Sequence, residues 1–173
     1  MTVKRWVSVL VSSHIIYLLP AWAASRTSAI VKTPKLYFCD PGLASYLLGI
    51  EDASQILRDP LRGNLFENMV VIEAFKAAVN SYRDPALSFF RNSSSLEVDL
   101  LISRQRQITG YEIKSGETFT KDQMVNLLRF EEQYRSYLHS EYPGGLIYAG
   151  SDELSFLEHT VTPYQKAGAL FTP

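Results

Sequence analysis

Two short runs near the middle of the chain, residues 96–102 (LEVDLLI) and 110–115 (GYEIKS), most constrain what it can fold into, because each sets ionisable side chains among aliphatic ones. Both read as strands. In a strand, residues two apart share a face, so Glu112 and Lys114 project together while Ile113 turns to the opposite face. A hairpin near residues 103–106 would pair the two strands and bring Asp99 beside Glu112. Two carboxylates and an ammonium then meet in one small volume. Close carboxylates repel unless something neutralises them, and a hard divalent cation does so. Asp99 followed by Glu112-x-Lys114 is the arrangement that metal-assisted phosphodiester cleavage requires.

The residues define the chemistry further. Mg²⁺ takes about six oxygens and keeps several waters; Asp99, Glu112 and the Ile113 main-chain carbonyl would supply the protein's share. The metal would lower the pKa of a bound water, and Lys114 would orient or deprotonate that water or stabilise the pentacovalent phosphorus. The competing reading is a surface salt-bridge ladder, against which the flanking Leu100, Leu101, Ile102 and Ile113 mark inner strands. Glu97 shares a face with Asp99 as an accessory acid. Upstream, residues 63–80 read as a helix that is apolar almost all round and therefore buried. Glu67, Val71, Ala74 and Ala78 fall on one face, and Glu73, Lys76 and Asn80 on another that meets water. Glu67 is thus an acid on an apolar stripe, to be paired, hydrogen-bonded, protonated or metal-bound, or else held by the helix dipole.

Charge is unevenly distributed. Net charge is only −1, so no overall basic field advertises nucleic acid. Yet five basic residues (Lys4, Arg5, Arg26, Lys32 and Lys35) and no acid precede Asp40, against 18 acids and 12 basic residues from there on. The N-terminal part is a candidate for DNA contact, or simply a solvated face. One cysteine, Cys39, excludes an internal disulfide and reads as a small core residue. His14, His139 and His159 show no ligand spacing and read as surface or satisfied histidines. No phosphate-binding loop and no nucleophile elbow is present. Residues 1–25 imitate a secretory leader, but Ser12, Ser13 and His14 interrupt the apolar run and Pro20 breaks its end. The expectation is a cytoplasmic protein without a membrane segment.

A short helix over 2–11, a strand over 14–19, a loop over 24–29 and a strand over 30–32 resemble the helix-plus-wing half of a winged helix. A strand at 35–38, a helix opened by Asp40 and Pro41 and ended by Gly49, and a linker over 52–62 come next. The long helix, strands near 88–91, 99 and 112, a helix over 120–139, strands at 145–149 and 156–161 and a tail over 171–173 complete the chain. Helix, three strands, helix and strand make an α/β fold with a mixed sheet flanked by helices.

Several stretches together match a known pattern: residues 32–38 (KTPKLYF) leading to 40–44 (DPGLA), 61–68 (LRGNLFEN), Phe90-Arg91 ahead of 97–101 (EVDLL), and 112–116 (EIKSG). They resemble the C-terminal domain of unknown function found behind AAA-type ATPase modules, which is similar to the PD-(D/E)XK nucleases, a superfamily that includes Holliday-junction resolvases and restriction endonucleases. The resemblance implies a restriction-endonuclease-like fold over residues 63–173, a partial winged helix over 1–38 and a connecting helix and linker over 39–62. It places Glu67 as the first-helix acid, Asp99 as the metal-binding acid and Glu112 and Lys114 as the E-x-K pair. The catalytic set would be Glu67, Asp99, Glu112 and Lys114, with Mg²⁺ or Mn²⁺ on Asp99, Glu112, Ile113 and Glu67. DNA, an ATPase module or partner chain and a second copy of the chain are the partners it implies. The function expected is Mg²⁺-dependent endonuclease-like hydrolysis; the alternatives are a non-catalytic DNA-binding or ATPase-regulating module, and a structural domain with a buried ion-pair cluster.

Overall fold

The computed structural model describes residues 2–24, 33–81 and 86–171. The chain opens with α1 (Val3–Ser12), which buries none of its residues and leaves Val3 and Trp6 exposed. β1 (Ile16–Leu19) then pairs antiparallel with β2 (Lys35–Phe38), Leu19 opposite Lys35. The expected strand over 30–32 lies outside the described residues, as does most of the loop over 24–29. Beyond β1 the backbone is sewn to the central sheet: Trp22 N–H donates to the Phe89 carbonyl at 2.7 Å, and Phe89 N–H to that of Pro20 at 3.0 Å. The Trp22 ring sits in a nest of Phe130, Tyr134 and Tyr137, with centroids 5.2–5.8 Å away.

α2 (Pro41–Leu47) starts where Asp40 and Pro41 predict: the Asp40 carboxylate accepts the Gly42 and Leu43 N–H groups, and Gly49 leaves the helix at φ +75°. The stretch read as linker carries a short helix, α3 (Ala53–Ile56), capped by Asp52; four residues are too few to leave a periodic signal. Cys39 is half-buried at the edge of the core. α4 (Arg62–Asn80) is the expected long helix, with Val70, Val71, Ile72 and Ala74 buried. Asn68 fastens it to β2, accepting the Phe38 N–H at 2.8 Å and donating to the Phe38 carbonyl at 2.9 Å.

The central sheet is mixed and six-stranded. Its strands are β3 (Leu87–Arg91), β4 (Glu97–Arg104), β5 (Gln107–Lys114), β6 (Gly145–Tyr148), β7 (Leu154–Phe156) and β8 (His159–Pro163), in the order β3-β4-β5-β6-β8-β7. β5, β6 and β8 run parallel; the other neighbours are antiparallel. The single strand expected at 156–161 is a hairpin, β7 and β8, turning at Leu157, whose φ is +55°. The helix expected over 120–139 is α5 (Val125–Tyr134) with a 3₁₀ turn at each end. The expected tail begins inside a short helix, α6 (Gly168–Phe171), whose Phe171 is buried.

Each face of the sheet carries its own core. α4, α6 and β2 cover one, around Phe89, Leu100, Tyr111, Ile113 and Ile147; α5 covers the other, around Phe90, Val98, Leu101, Leu127 and Leu146. This mixed α/β architecture is the fold class that the pattern of runs predicts. No helix among the described residues is long and apolar enough to cross a membrane.

Candidate metal-assisted active site

The site is built around a bulge in β4. Ser88 pairs with Leu101 and Phe90 with Val98, so Asp99 and Leu100 together oppose Phe89 alone. A bulge re-aims the side chains beside it. Val98 and Leu101 belong to the α5 core and Leu100 to the α4 core, so the inward–outward alternation slips at Asp99. The β4–β5 ladder ends one residue later, at Leu100 opposite Tyr111. The Asp99 carboxylate fills the fork that opens there: its Oδ2 accepts the Ile113 N–H at 2.9 Å and the Lys114 ammonium at 3.1 Å.

Asp99 thereby joins two groups of residues. Tyr111 and Ile113 sit in the α4 core, so Glu112 and Lys114 start from the opposite face, where Lys114 Nζ donates to Glu112 Oε2 at 2.5 Å. From the α4 side comes Glu67, whose Oε1 accepts the Lys35 ammonium at 2.8 Å and the Tyr37 hydroxyl at 2.5 Å. Lys35 Nζ also lies 2.7 Å from Glu97 and 3.9 Å from Asp99 Oδ1, and Arg91 holds Glu97 through two bonds of 2.7 Å. Four acids and three cations thus interlock.

The predicted four are therefore all present in one network. Asp99, Glu112 and Lys114 form its tight half, Glu67 reaches it through Lys35, and Ile113 offers its main-chain N–H to Asp99 while its side chain is buried. The sequence reading missed Lys35, Tyr37 and Arg91. Lys35 and Tyr37 are two apart on one strand, the signal that would have put them on one face; nothing local says which partner that face meets.

Electrostatics single out Glu112. It is 2% exposed; burial, then the Asp99 charge, push its carboxyl up to about 8 against the opposing pull of Lys114. Burial disfavours the Lys114 ammonium, but Asp99 and Glu112 outweigh it and raise its pKa above the usual lysine range. Glu97 moves the other way: burial raises it, and bonds from Arg91 and Lys35 bring it below the ordinary value. Glu112 Oε1 is buried and receives no hydrogen bond from a donor group; the carboxyl that Glu112 meets is that of Asp99, a second acid. A carboxylate oxygen left orphaned beside Asp99 is a ready acceptor for a hard cation, so the Asp99–Glu112 pair suits Mg²⁺ or Mn²⁺. Among the described residues no group of three acidic, histidine or cysteine side chains is arranged to hold a metal ion; Glu67, Glu97 and Asp99 meet around the Lys35 ammonium instead.

His159, expected as a surface or satisfied histidine, is buried. Its Nδ1 is 3.1 Å from the Pro143 carbonyl and its Nε2 3.1 Å from Glu131 Oε2.

The fold and the network define a mixed α/β domain with an acid–lysine centre at the fork of two central strands. Residues 62–167 match the domain of unknown function DUF4143 and residues 1–54 the domain of unknown function DUF8612; the chain belongs to the DUF4143 family. It is 30% identical over 118 residues to an uncharacterized protein of Mycobacterium tuberculosis and to one of Mycobacterium bovis. The matched stretch is 68% of this chain and 26% of each relative, so it spans about a quarter of their length. No solved structure matches the chain. Lys35 and Tyr37, which hold Glu67, lie outside the DUF4143 match and within the DUF8612 one.

Proposed function

We propose that this domain is a Mg²⁺- or Mn²⁺-dependent, restriction-endonuclease-like deoxyribonuclease centre of the PD-(D/E)XK type. The observation that carries the reading is the orphaned, buried Glu112 Oε1 beside Asp99, with Lys114 bonded to both carboxylates. Asp99, Glu112 and the Ile113 carbonyl would hold the cation, with Glu67 the fourth acid of the motif. When bound, the ion supplies an activated water and offsets charge building on the phosphate. Lys114, two-thirds buried at the fork, positions a positive charge against the scissile phosphodiester, and the bulge at Asp99 fixes that geometry on rigid strands.

The matched relatives extend far beyond the shared region, which supports the proposal that such a domain works as one module of a longer protein. That this protein is AAA-type ATPase-linked and acts on DNA is a further proposal, drawn from the resemblance of residues 61–68, 97–101 and 112–116. A second reading has its own support. Burial and the Asp99 charge push the Glu112 carboxyl up to about 8, and Lys35 and Lys114 already pair with the other acids, as a charge-balanced, non-catalytic DNA-binding or ATPase-regulating module would have it.

Incubation with branched, linear and single-stranded DNA in Mg²⁺ or Mn²⁺ separates the two. The nuclease reading predicts cleavage that Asp99→Ala and Lys114→Ala each lower by about a thousandfold or more. DNA that is bound in a salt-dependent way but never cut, with any metal, supports the second.

A further inference from the structure

Lys35 occupies a position that the proposed chemistry does not explain. It comes from β2, outside the acid-bearing strands, yet its ammonium lies 2.8 Å from Glu67, 2.7 Å from Glu97 and 3.9 Å from Asp99, and 5.3 Å from the centre of the Phe89 ring. Its side chain is 16% exposed. Three carboxylates thus converge on one monovalent, flexible cation. A lysine ammonium is a compact charge on a rotatable stem, and this stem has somewhere to go. A cavity of about 550 Å³ opens beside it, lined by Leu36, Leu61, Asn64, Leu65 and Arg91 as well as by Lys35 itself. On the other side of Asp99, Glu112 Oε1 is buried and unpartnered. The acids around Asp99 are therefore neutralised on one side by a built-in cation and left short of a donor on the other.

We infer that Lys35 is a displaceable internal cation: its ammonium holds Glu67, Glu97 and Asp99 together in the metal-free domain, competes with a divalent ion for Asp99, and turns into the adjoining cavity when that ion binds. The inference rests on the metal-site reading above and adds a residue that sets cation affinity. In the turned-out position the ammonium stands at the mouth of the site beside Arg91, where two cations would meet a phosphate backbone. Lys35 acts as a positioning residue, through the carboxylates.

The test is Mn²⁺ binding by the full 173-residue chain, followed by the electron paramagnetic signal of the free ion, for the natural protein and for Lys35→Met and Lys35→Arg. Removing a charge about 4 Å from Asp99 should tighten Mn²⁺ binding by about tenfold or more in Lys35→Met, and Lys35→Arg should bind no more tightly than the natural protein. Equal or weaker binding by a folded Lys35→Met, with the natural protein still binding Mn²⁺ through Asp99, overturns the inference and leaves the metal site standing. No Mn²⁺ bound by either protein overturns both. Should Lys35→Met not fold, the side-chain ammonium resonance of Lys35 decides in the natural protein: Mg²⁺ should move it and speed its solvent exchange, and an unchanged resonance at saturating Mg²⁺ contradicts displacement.

Discussion

Asp99 Oδ2 accepts the main-chain N–H of Ile113 at 2.9 Å, at the point where β4 and β5 cease to pair. A side chain here takes over a bond that the strand ladder no longer supplies, and the same carboxylate anchors Lys114 at 3.1 Å. The two duties are separable. Asp99→Asn keeps an acceptor for Ile113 and should cost about 1 kcal/mol, whereas Asp99→Ala leaves the buried Ile113 N–H without an acceptor and should cost about 3 kcal/mol. Urea unfolding of both variants without metal measures the difference; equal losses would mean that the Ile113 bond contributes nothing.

Glu112 predicts a pH dependence of unusual sign. Its carboxyl is pushed up to about 8 in the folded protein, above its ordinary value of about 4.3 in an unfolded chain. Between these values the folded state binds more protons than the unfolded one, so stability falls as pH rises from about 4 to about 8 and then levels. Glu112→Gln imitates the protonated form and removes that loss. It should match the natural protein near pH 4 and exceed it by a few kcal/mol at pH 8, as read by urea unfolding across the range without metal. A variant less stable at pH 8 would show Glu112 ionised and well paired.

His159 titrates under opposed influences. Burial lowers its pKa, but the bond and charge of Glu131 outweigh burial and leave it raised. Its contribution to stability is therefore fully present below the unfolded value of about 6.5 and is lost as pH rises through the folded value. Glu131→Gln removes the largest influences that oppose burial and leaves only the Pro143 carbonyl and the Glu158 charge, so the imidazole should titrate lower than in the natural protein. The proton resonances of the His159 ring report this; an unshifted titration would detach Glu131 from it.

Gly144 turns the chain into β6 at φ +79°, and a Cβ built there would lie 2.1 Å from the Gly110 carbonyl oxygen, which is backbone and cannot step aside. Gly144→Ala should cost about 3 kcal/mol or more. Thermal melts would show it, and a melting temperature unchanged within a degree would mean that the β5–β6 junction adapts.

The strands and their acids were legible because period-two alternation survives in β5: Glu112 and Lys114 share a face around a buried Ile113. The same rule misleads at β4, where the bulge inserts a residue at Asp99 and slips the alternation, a tertiary event without a local signature. The Gln105-Arg106 turn has positive φ at both residues without a glycine, so its position could be guessed only from the flanking strands. The partners of Glu67 were out of reach for another reason. Lys35 and Tyr37 stand some thirty residues upstream, and they meet Glu67 because β2 docks on α4, a tertiary contact that Asn68 and Phe38 help to fasten. Capping at Asp40 and Gly49 needed no such information, since the cap residue and its N–H partners are adjacent.

Calorimetric titration of Mn²⁺ into the natural protein, Asp99→Asn and Glu112→Gln asks whether Asp99 and Glu112 form a cation-holding centre. One saturable site is expected in the natural protein, and both substitutions should weaken it severely. Saturable binding that persists undiminished in both variants, or no binding at all in the natural protein, would contradict such a centre.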